Sequence, residues 1–306
     1  MRPSGGSQSR VSVVIPTRNR IDKLARCLDS VCDSDYRQTE VIVVDDASDR
    51  PVGDTLSSRF PNVNFIRNDH RRLLSCSRNA GAAAASGEFL FFLDDDNVLA
   101  KDAIRLLAET LDSSDRVAVS SPVIYYLGRP DVVWTSYISR SPLPGFYALH
   151  TDVPASSAAT FSFHNSFMVK KRVFDELHGF DCAEFPVRFA EVDFAHRLNS
   201  QGYVAVLNPH AKDWHDLGWA LAHVESKRAY YTERNRMIVI KRYYPRNAFR
   251  FYCCCLLPFL TAYYLLHHPL SSSDGRLKTA SSFLKGVVSG LTTDARTSAF
   301  MEASTH

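Results

Sequence analysis

The chain has 306 residues, 45% of them hydrophobic and 23% charged, and its formal net charge is +3. That is the composition of an ordinary globular protein, and so small a charge excludes nucleic acid as a partner recognised by global electrostatics. The length suits one large α/β domain or two smaller ones. Residues 1–10 are polar, rich in Ser and Gly, and lack the apolar core of a leader, so they are expected to form a loose tail. Val11 to Ile15 is a β-branched run closed by Pro16-Thr17-Arg18-Asn19-Arg20. Ile21 to Val31 places Ile21, Leu24, Ala25, Leu28 and Val31 on one helical face. Strands are expected at Glu40 to Val44, ending in Asp45-Asp46, and at Val63 to Ile66. Ser77 to Ser86, with Arg78-Asn79-Ala80-Gly81, is expected to be helical. Phe89 to Leu93 is an unbroken apolar run, as in a strand buried on both faces of a parallel sheet, and it runs into Asp94-Asp95-Asp96-Asn97. The strand–helix alternation argues for a mostly parallel sheet flanked by helices.

Farther on, Ala100 to Leu111 is expected to be helical and Val117 to Tyr126 a strand. Gly128 to Thr160 has weak periodicity and many Pro, Ser and aromatic residues, and is expected to form loops over a site. A strand within Phe161 to Val169, a short helix over Lys170 to Leu177 closed by Gly179, and a helix within Phe185 to Ser200 follow. Val204 to Leu207 is a short strand that precedes Asp213-Trp214-His215-Asp216, and Lys227 to Lys241 is a long basic, aromatic helix stopped before Pro245. Phe251 to Leu266 is the most apolar segment, and its 16 residues fall short of a bilayer span. It is flanked by Arg250 and by His267-His268, and is expected to be a membrane-lying or buried helix. Leu277 to Leu291 has Phe283, Leu284, Val287, Val288 and Leu291 on one face with basic residues nearby, which suits an anionic membrane surface or packing onto the main domain. The seven cysteines are odd in number and show no CxxC spacing, so reduced, mostly buried thiols are expected, with no disulfide or zinc framework.

Three strand ends thus carry polar clusters, and a nucleotide is the usual occupant of the crevice such ends form. Three adjacent carboxylates repel one another, so a cation is their natural partner. Neither GxGxxG nor GxxxxGK[ST] is present, so a diphosphate would be held through a metal. Oxygen donors and phosphates favour Mg²⁺ or Mn²⁺ over zinc.

The ordered set VSVVIPTRNR, EVIVVDDASD, SRNAGAAAASGEFLFFLDDDN, FDELHGFD, AEVDFAHRL and YYTERNRMIVIKRYYP resembles inverting glycosyltransferase family 2, over roughly Val11 to Pro245. The resemblance implies the GT-A fold, a nucleotide-diphospho-sugar transferase-like α/β architecture. It divides the chain into a tail (1–10), a glycosyltransferase domain (11–245) and a carboxyl-terminal helical, membrane-directed segment (246–306). By the same resemblance Asp46 contacts the nucleotide base, Pro16, Thr17 and Arg18 border it, and Arg78 and Asn79 lie near the nucleotide. Asp94 and Asp96 match the family's DxD motif. Asp96 would ligate the metal, Asp94 or Asp95 would face the ribose or a metal-bound water, and His215 would complete the metal site. The family's acidic pair before the helix reads Ala190-Glu191 here, followed by Asp193 and Arg197. Glu191 is therefore the expected general base, with Asp193 as the second candidate and helix capping as its structural role. Arg234-Asn235-Arg236 is expected to be a solvated basic face, with diphosphate contact as the alternative. The implied donor is a nucleotide sugar, UDP by default, and the acceptor a glycan or lipid-linked glycan on the cytoplasmic side of a membrane. A nucleotidylyltransferase or phosphatase, and a non-catalytic sugar-nucleotide-binding protein, are the other readings.

Overall fold

A computed structural model of the chain describes residues 8–216, 225–266 and 276–294. The expected tail falls mostly on residues 1–7, outside the described residues, as do His267 and His268. The chain forms two compact units. The first contains residues 8–139, 149–186 and 190–216; the second contains 140–148, 187–189 and, among the described residues, 225–266 and 276–294.

The first unit begins with β1 (Val11–Thr17), α1 (Ile21–Cys32), β2 (Thr39–Asp45), α2 (Val52–Leu56) and β3 (Val63–Arg67). It continues with α3 (Leu73–Ala84), β4 (Phe89–Phe92), β5 (Asn97–Leu99), α4 (Ala103–Asp112) and β6 (Val117–Tyr126). Every residue of β1 and of β4 is buried, as unbroken apolar runs require. These strands pair in parallel in the order β4-β1-β2-β3, with Val14 opposite Phe92 and Thr17 opposite Asp45. α1 buries Leu24, Leu28 and Val31 against this sheet's core, the face read from its periodicity. α3 begins four residues earlier than Ser77, and its Gly81 meets β1: a Cβ there would lie 2.3 Å from Val14 Cγ1. That close approach brings the helix carrying Arg78 down onto the sheet.

β7 (Arg129–Thr135), β8 (Ile138–Arg140), β9 (Tyr147–Leu149) and β10 (Ala158–Thr160) correct the expectation of loops from Gly128 to Thr160. β7 folds back on β6 as a hairpin, whereas β10 is recruited by the distant β12 (Val204–His215), so no local period announces β10. β11 (Phe167–Lys170) runs antiparallel between β4 and β6, so the sheet is mostly parallel, as expected, and mixed. α5 (Lys171–Glu176) is closed by Gly179 at φ +65°, and α6 (Ala190–Ser200) follows. β12 is longer than the expected Val204 to Leu207, because after a shift in register with β6 it resumes and pairs with β5, placing His215 opposite Asn97.

Cys76 on α3 and Cys182 are joined by a disulfide, which corrects the expectation of reduced thiols throughout. The two lie 106 residues apart, and only the fold brings the 180–186 segment alongside α3. Ser75 donates its N–H to Pro186 O at 3.1 Å and its Oγ–H to Phe185 O at 2.6 Å on the same face.

The second unit is built on α7 (Glu225–Tyr243), α8 (Arg246–Phe251), a π-helical turn at Tyr252–Leu256, α9 (Leu257–Leu266) and α10 (Arg276–Thr292). The run from Arg246 to Leu266 is 21 residues, with mean hydropathy 1.4, long and apolar enough to cross a membrane by length and composition. The helix is longer than the expected Phe251 to Leu266 because Arg246 to Arg250, polar except for Ala248 and Phe249, extend it. The π-turn lies just before Pro258, whose missing N–H disturbs the regular ladder. Arg234-Asn235-Arg236 is not a solvated face. Asn235 is fully buried and donates to Val187 O and Arg188 O, while Arg236 pairs with Glu233 at 2.8 Å and lies over Phe146.

Thiol titration of the denatured, non-reduced protein is expected to find five free thiols, those of Cys27, Cys32, Cys253, Cys254 and Cys255. All seven react if the Cys76–Cys182 bond is absent.

Candidate active site

The carboxyl ends of β1, β2 and β4 carry the polar groups. After β1, Thr17 donates its hydroxyl to Asp95 Oδ2 at 2.7 Å. Pro16 is buried within the strand, and Arg18 reaches Asp49, at 3.9 Å. After β2, Asp46 accepts from Asn68 Nδ2 at 2.9 Å and from the N–H groups of Arg72 and Leu73 at 2.6 and 2.9 Å. Leu73 is left-handed, with φ +68°, a conformation unfavourable for a residue with a Cβ. Asp46 thus holds the entry to α3 by binding its first free amides.

After β4 the three aspartates diverge. Asp94 accepts from Arg78 Nη2 at 2.9 Å. Asp95, almost fully buried, accepts from Thr17 and from Arg20 Nη1 at 3.0 Å. Burial pushes its carboxyl up to about 6, although Arg20 opposes the shift. Asp96 Oδ1 lies 3.1 Å from His215 Nε2, and its Oδ2 accepts from Arg20 at 3.0 Å. Burial would raise Asp96, but His215, Arg20 and Lys23 outweigh it and hold the carboxyl below its ordinary range. Burial would lower the His215 imidazole, but Asp96 raises it above its ordinary value.

Arg78 is fully buried, and one guanidinium ties two elements together. Nη1 donates to Glu191 Oε1 at 2.5 Å, while Nη2 donates to Asp94 and to Asn165 O at 3.2 Å. The fold therefore brings Glu191, at the start of α6, to the acidic strand end. Asp193 is different: it is fully buried and held at 2.8 Å by Arg197, which also donates to Leu177 O and Gly179 O. Asn79 turns away from the aspartates, exchanging hydrogen bonds with both the carbonyl and the N–H of Phe180.

Several residues escaped the sequence reading. Arg20 and Lys23 reach the aspartates, at 3.0 and 3.8 Å from Asp96. Trp134 lies between His164 and His215, with ring centroids 4.3 and 4.7 Å away. Behind them Asn165 donates to Asn97, and Asn97 donates to Asp213. Asp213 is fully buried, and burial raises its carboxyl to about 7. Arg20 could have been found by its position in the turn after β1. Trp134 comes from the stretch of weak periodicity, and His164 and Asn165 come from the segment read only as a strand, so none carries a local signal of a site.

A divalent cation would find Asp96 Oδ1 and His215 Nε2 converging on one point, with His215 Nδ1 buried and without a hydrogen-bond partner. Among the described residues no three His, Cys, Asp or Glu side chains form a cage. A donor set of one carboxylate and one imidazole fits an ion whose other ligands are water and substrate phosphates.

The family model for glycosyl transferase family 2 matches residues 12–177, more than half of the chain. The chain belongs to that family. It is 28% identical over 240 residues to a pre-mycofactocin glycosyltransferase of Mycobacterium tuberculosis, covering 75% of this chain and 47% of that protein. The chain spans about half the length, or less, of the curated relatives it matches. Its fold is similar to that of GalNAc-T7 solved with UDP, GalNAc and Mn²⁺, with a TM-score of 0.67 and 16% identity, covering 95% of this chain and 58% of that one. It is also similar to a mannosyltransferase from Pyrobaculum calidifontis in complex with GDP-mannose and Mn²⁺, with a TM-score of 0.59 and 17% identity, covering 93% and 88%. The architecture is therefore that of the GT-A glycosyltransferases.

In the metal-free protein the buried Asp213 has a sign that can be tested. Its folded pKa of about 7 lies above the ordinary carboxylate value, so the folded state binds the extra proton and stability falls as pH rises toward 7. Asp213→Asn is expected to melt above the wild type at pH 8 and to converge with it near pH 5 in calorimetry. A gap that does not change with pH would contradict the buried charge.

Proposed function

We propose that the protein is a metal-dependent, inverting glycosyltransferase, moving a sugar from a nucleoside-diphosphate sugar to a hydroxyl of a glycan or lipid-linked acceptor. The observation that carries this reading is the single cluster joining Asp94, Asp95, Asp96 and His215 to Glu191 through Arg78. UDP is the nucleotide we favour, and the apolar helices of the second unit support an acceptor met at a membrane surface.

Asp96 and His215 would hold Mg²⁺ or Mn²⁺, which when bound offsets the charge that develops on the leaving diphosphate. Asp46 and the turn of Pro16, Thr17 and Arg18 would border the base, with Asp94 and Asp95 toward the ribose side of the donor. Arg20, which spans Asp95 and Asp96 in this arrangement, is placed to meet the diphosphate. Glu191 retains 17% side-chain exposure and can receive the acceptor's hydroxyl proton. The acceptor oxygen then forms its bond to the anomeric carbon from the face opposite the departing diphosphate, whose oxygen keeps the electron pair, and the configuration inverts. Asp193 is enclosed with Arg197 and has no exposed surface, which favours Glu191 as the base.

Incubating the protein with UDP-, GDP- and dTDP-sugars and Mn²⁺ is expected to release a nucleoside diphosphate from one of them. Asp96→Ala should abolish metal-dependent donor binding in calorimetry. Glu191→Gln should leave donor binding in place and slow transfer by roughly 10²–10⁴-fold. Full activity in Glu191→Gln would move the base to another residue, and no metal-dependent binding of any donor would overturn the enzyme reading.

A further inference from the structure

The second unit carries an apolar surface that its own fold leaves uncovered. The helical run Arg246–Leu266 is apolar on two sides. One side packs along the unit: Phe249, Cys253, Leu256 and Leu260 lie against the cluster of Met237, Ile240 and Tyr252, and Tyr264 stacks on Phe283 of α10 at 4.4 Å. The other side is a stripe at helical spacing through Phe251, Cys255, Phe259, Ala262 and Leu266, all exposed. Phe259 is 71% exposed and Leu266 64%. α10 repeats the pattern, burying Ala280 and Phe283 while Leu277, Leu284 and Val288 face outward at 85%, 43% and 61% exposure. Leu265 lines one open groove with those three α10 residues, so the two apolar faces meet.

Charge indicates what covers them. From Arg246 to Leu266 and from Arg276 to Thr292 there is no Asp or Glu, while Arg246, Arg250, Arg276, Lys278 and Lys285 are basic. Arg246 and Arg250 are exposed, one turn apart at the head of the stripe, and make no ion pair among the described residues. They line a recess with Lys241 and Phe249, in which Asp294 is the acidic side chain. Lys241 is already engaged, donating to the carbonyls of Gly290, Leu291 and Thr293 at the end of α10. An uncovered apolar face with the exposed Arg246 and Arg250 at its head matches an anionic lipid surface.

We propose that the Arg246–Leu266 helix and the outer face of α10 together lie in the plane of an anionic membrane surface. The helix does not cross the membrane, although its length would allow it. Its inner side is clamped against α7, which carries Glu233, Arg234, Arg236, Lys241 and Arg242, and crossing would strip those contacts or draw these charges into hydrocarbon. This deepens the membrane-side acceptor reading and rests on it only for its purpose, because lipid binding is measured apart from donor binding.

The full-length protein is sedimented with vesicles of phosphatidylcholine alone and of phosphatidylcholine mixed with phosphatidylglycerol. It is expected to bind both, and the anionic vesicles more tightly. Arg246→Gln with Arg250→Gln should cut anionic binding by roughly 5-fold per arginine, about 25-fold together, while binding to neutral vesicles persists. Phe259→Ser with Leu266→Ser should weaken binding to both vesicle types by more than roughly 50-fold. Circular dichroism and donor affinity of every variant should match the wild type, which separates failure of this surface from failure of the site. Bimane probes at Phe251→Cys and Leu266→Cys should be quenched alike by a nitroxide at one shallow depth. Unequal quenching at the two ends would show a spanning helix, and no binding to either vesicle would overturn the proposal. Sedimentation of a stable dimer that shields both probes without lipid would assign the face to a second copy and overturn it as well.

Discussion

One buried cation organises the first unit. Arg78 has no exposed surface, and its guanidinium is compensated by Asp94 and Glu191, which are 97 residues apart in the chain. Removing one partner from a buried ion pair costs about 3–5 kcal/mol, because the other charge is left without compensation. The same arginine also satisfies the carbonyl of Asn165, so the ends of β4, the approach to β11 and the start of α6 share one anchor. α3 can present that anchor because Gly81 lets it sit close on Val14, and because Asp46 secures its left-handed entry at Leu73.

Around this anchor the three aspartates acquire different chemistry from nearly identical sequence positions. Asp94 is neutralised by Arg78. Asp95 is sunk between Thr17 and Arg20, where burial dominates and favours the protonated form. Asp96 is also buried, but His215, Arg20 and Lys23 keep it ionised. The residue is the same in all three cases, and the partners supplied by other elements differ. Asp96 meets the imidazole of His215 at the end of the extended β12.

The second unit follows a different rule. Its helices satisfy one apolar side by mutual packing and leave the other to the surroundings. Within it, Arg236 is engaged by Glu233 and Phe146, and Glu233 also accepts from Tyr252. Those buried polar contacts fix the register of α7 against the apolar helix. Arg246 and Arg250, exposed at the head of the apolar helix, make no ion pair among the described residues.

The local signals in the chain were strong where structure is built locally. The apolar runs of β1, β2 and β4, the amphipathic face of α1 and the acidic end of β4 could be read directly, since period and burial are properties of contiguous residues. The ordered motifs carried the family and its GT-A fold, and they singled out Asp96, Glu191 and His215. Tertiary structure alone decided β10, whose partner β12 lies far away in sequence. It also decided the Cys76–Cys182 bond, the burial of Asn235, the pairing of Arg236 with Glu233, and the grouping of Trp134, His164, Asn165 and Asp213. Arg78 shows the division: its place in a motif marked it as functional, but its buried bridge between Asp94 and Glu191 exists only once α3, β4 and α6 have packed. The physical reason is that a sequence encodes propensities and patterns over short spans, whereas the charge state and the partners of a buried group depend on which distant residues exclude water from it.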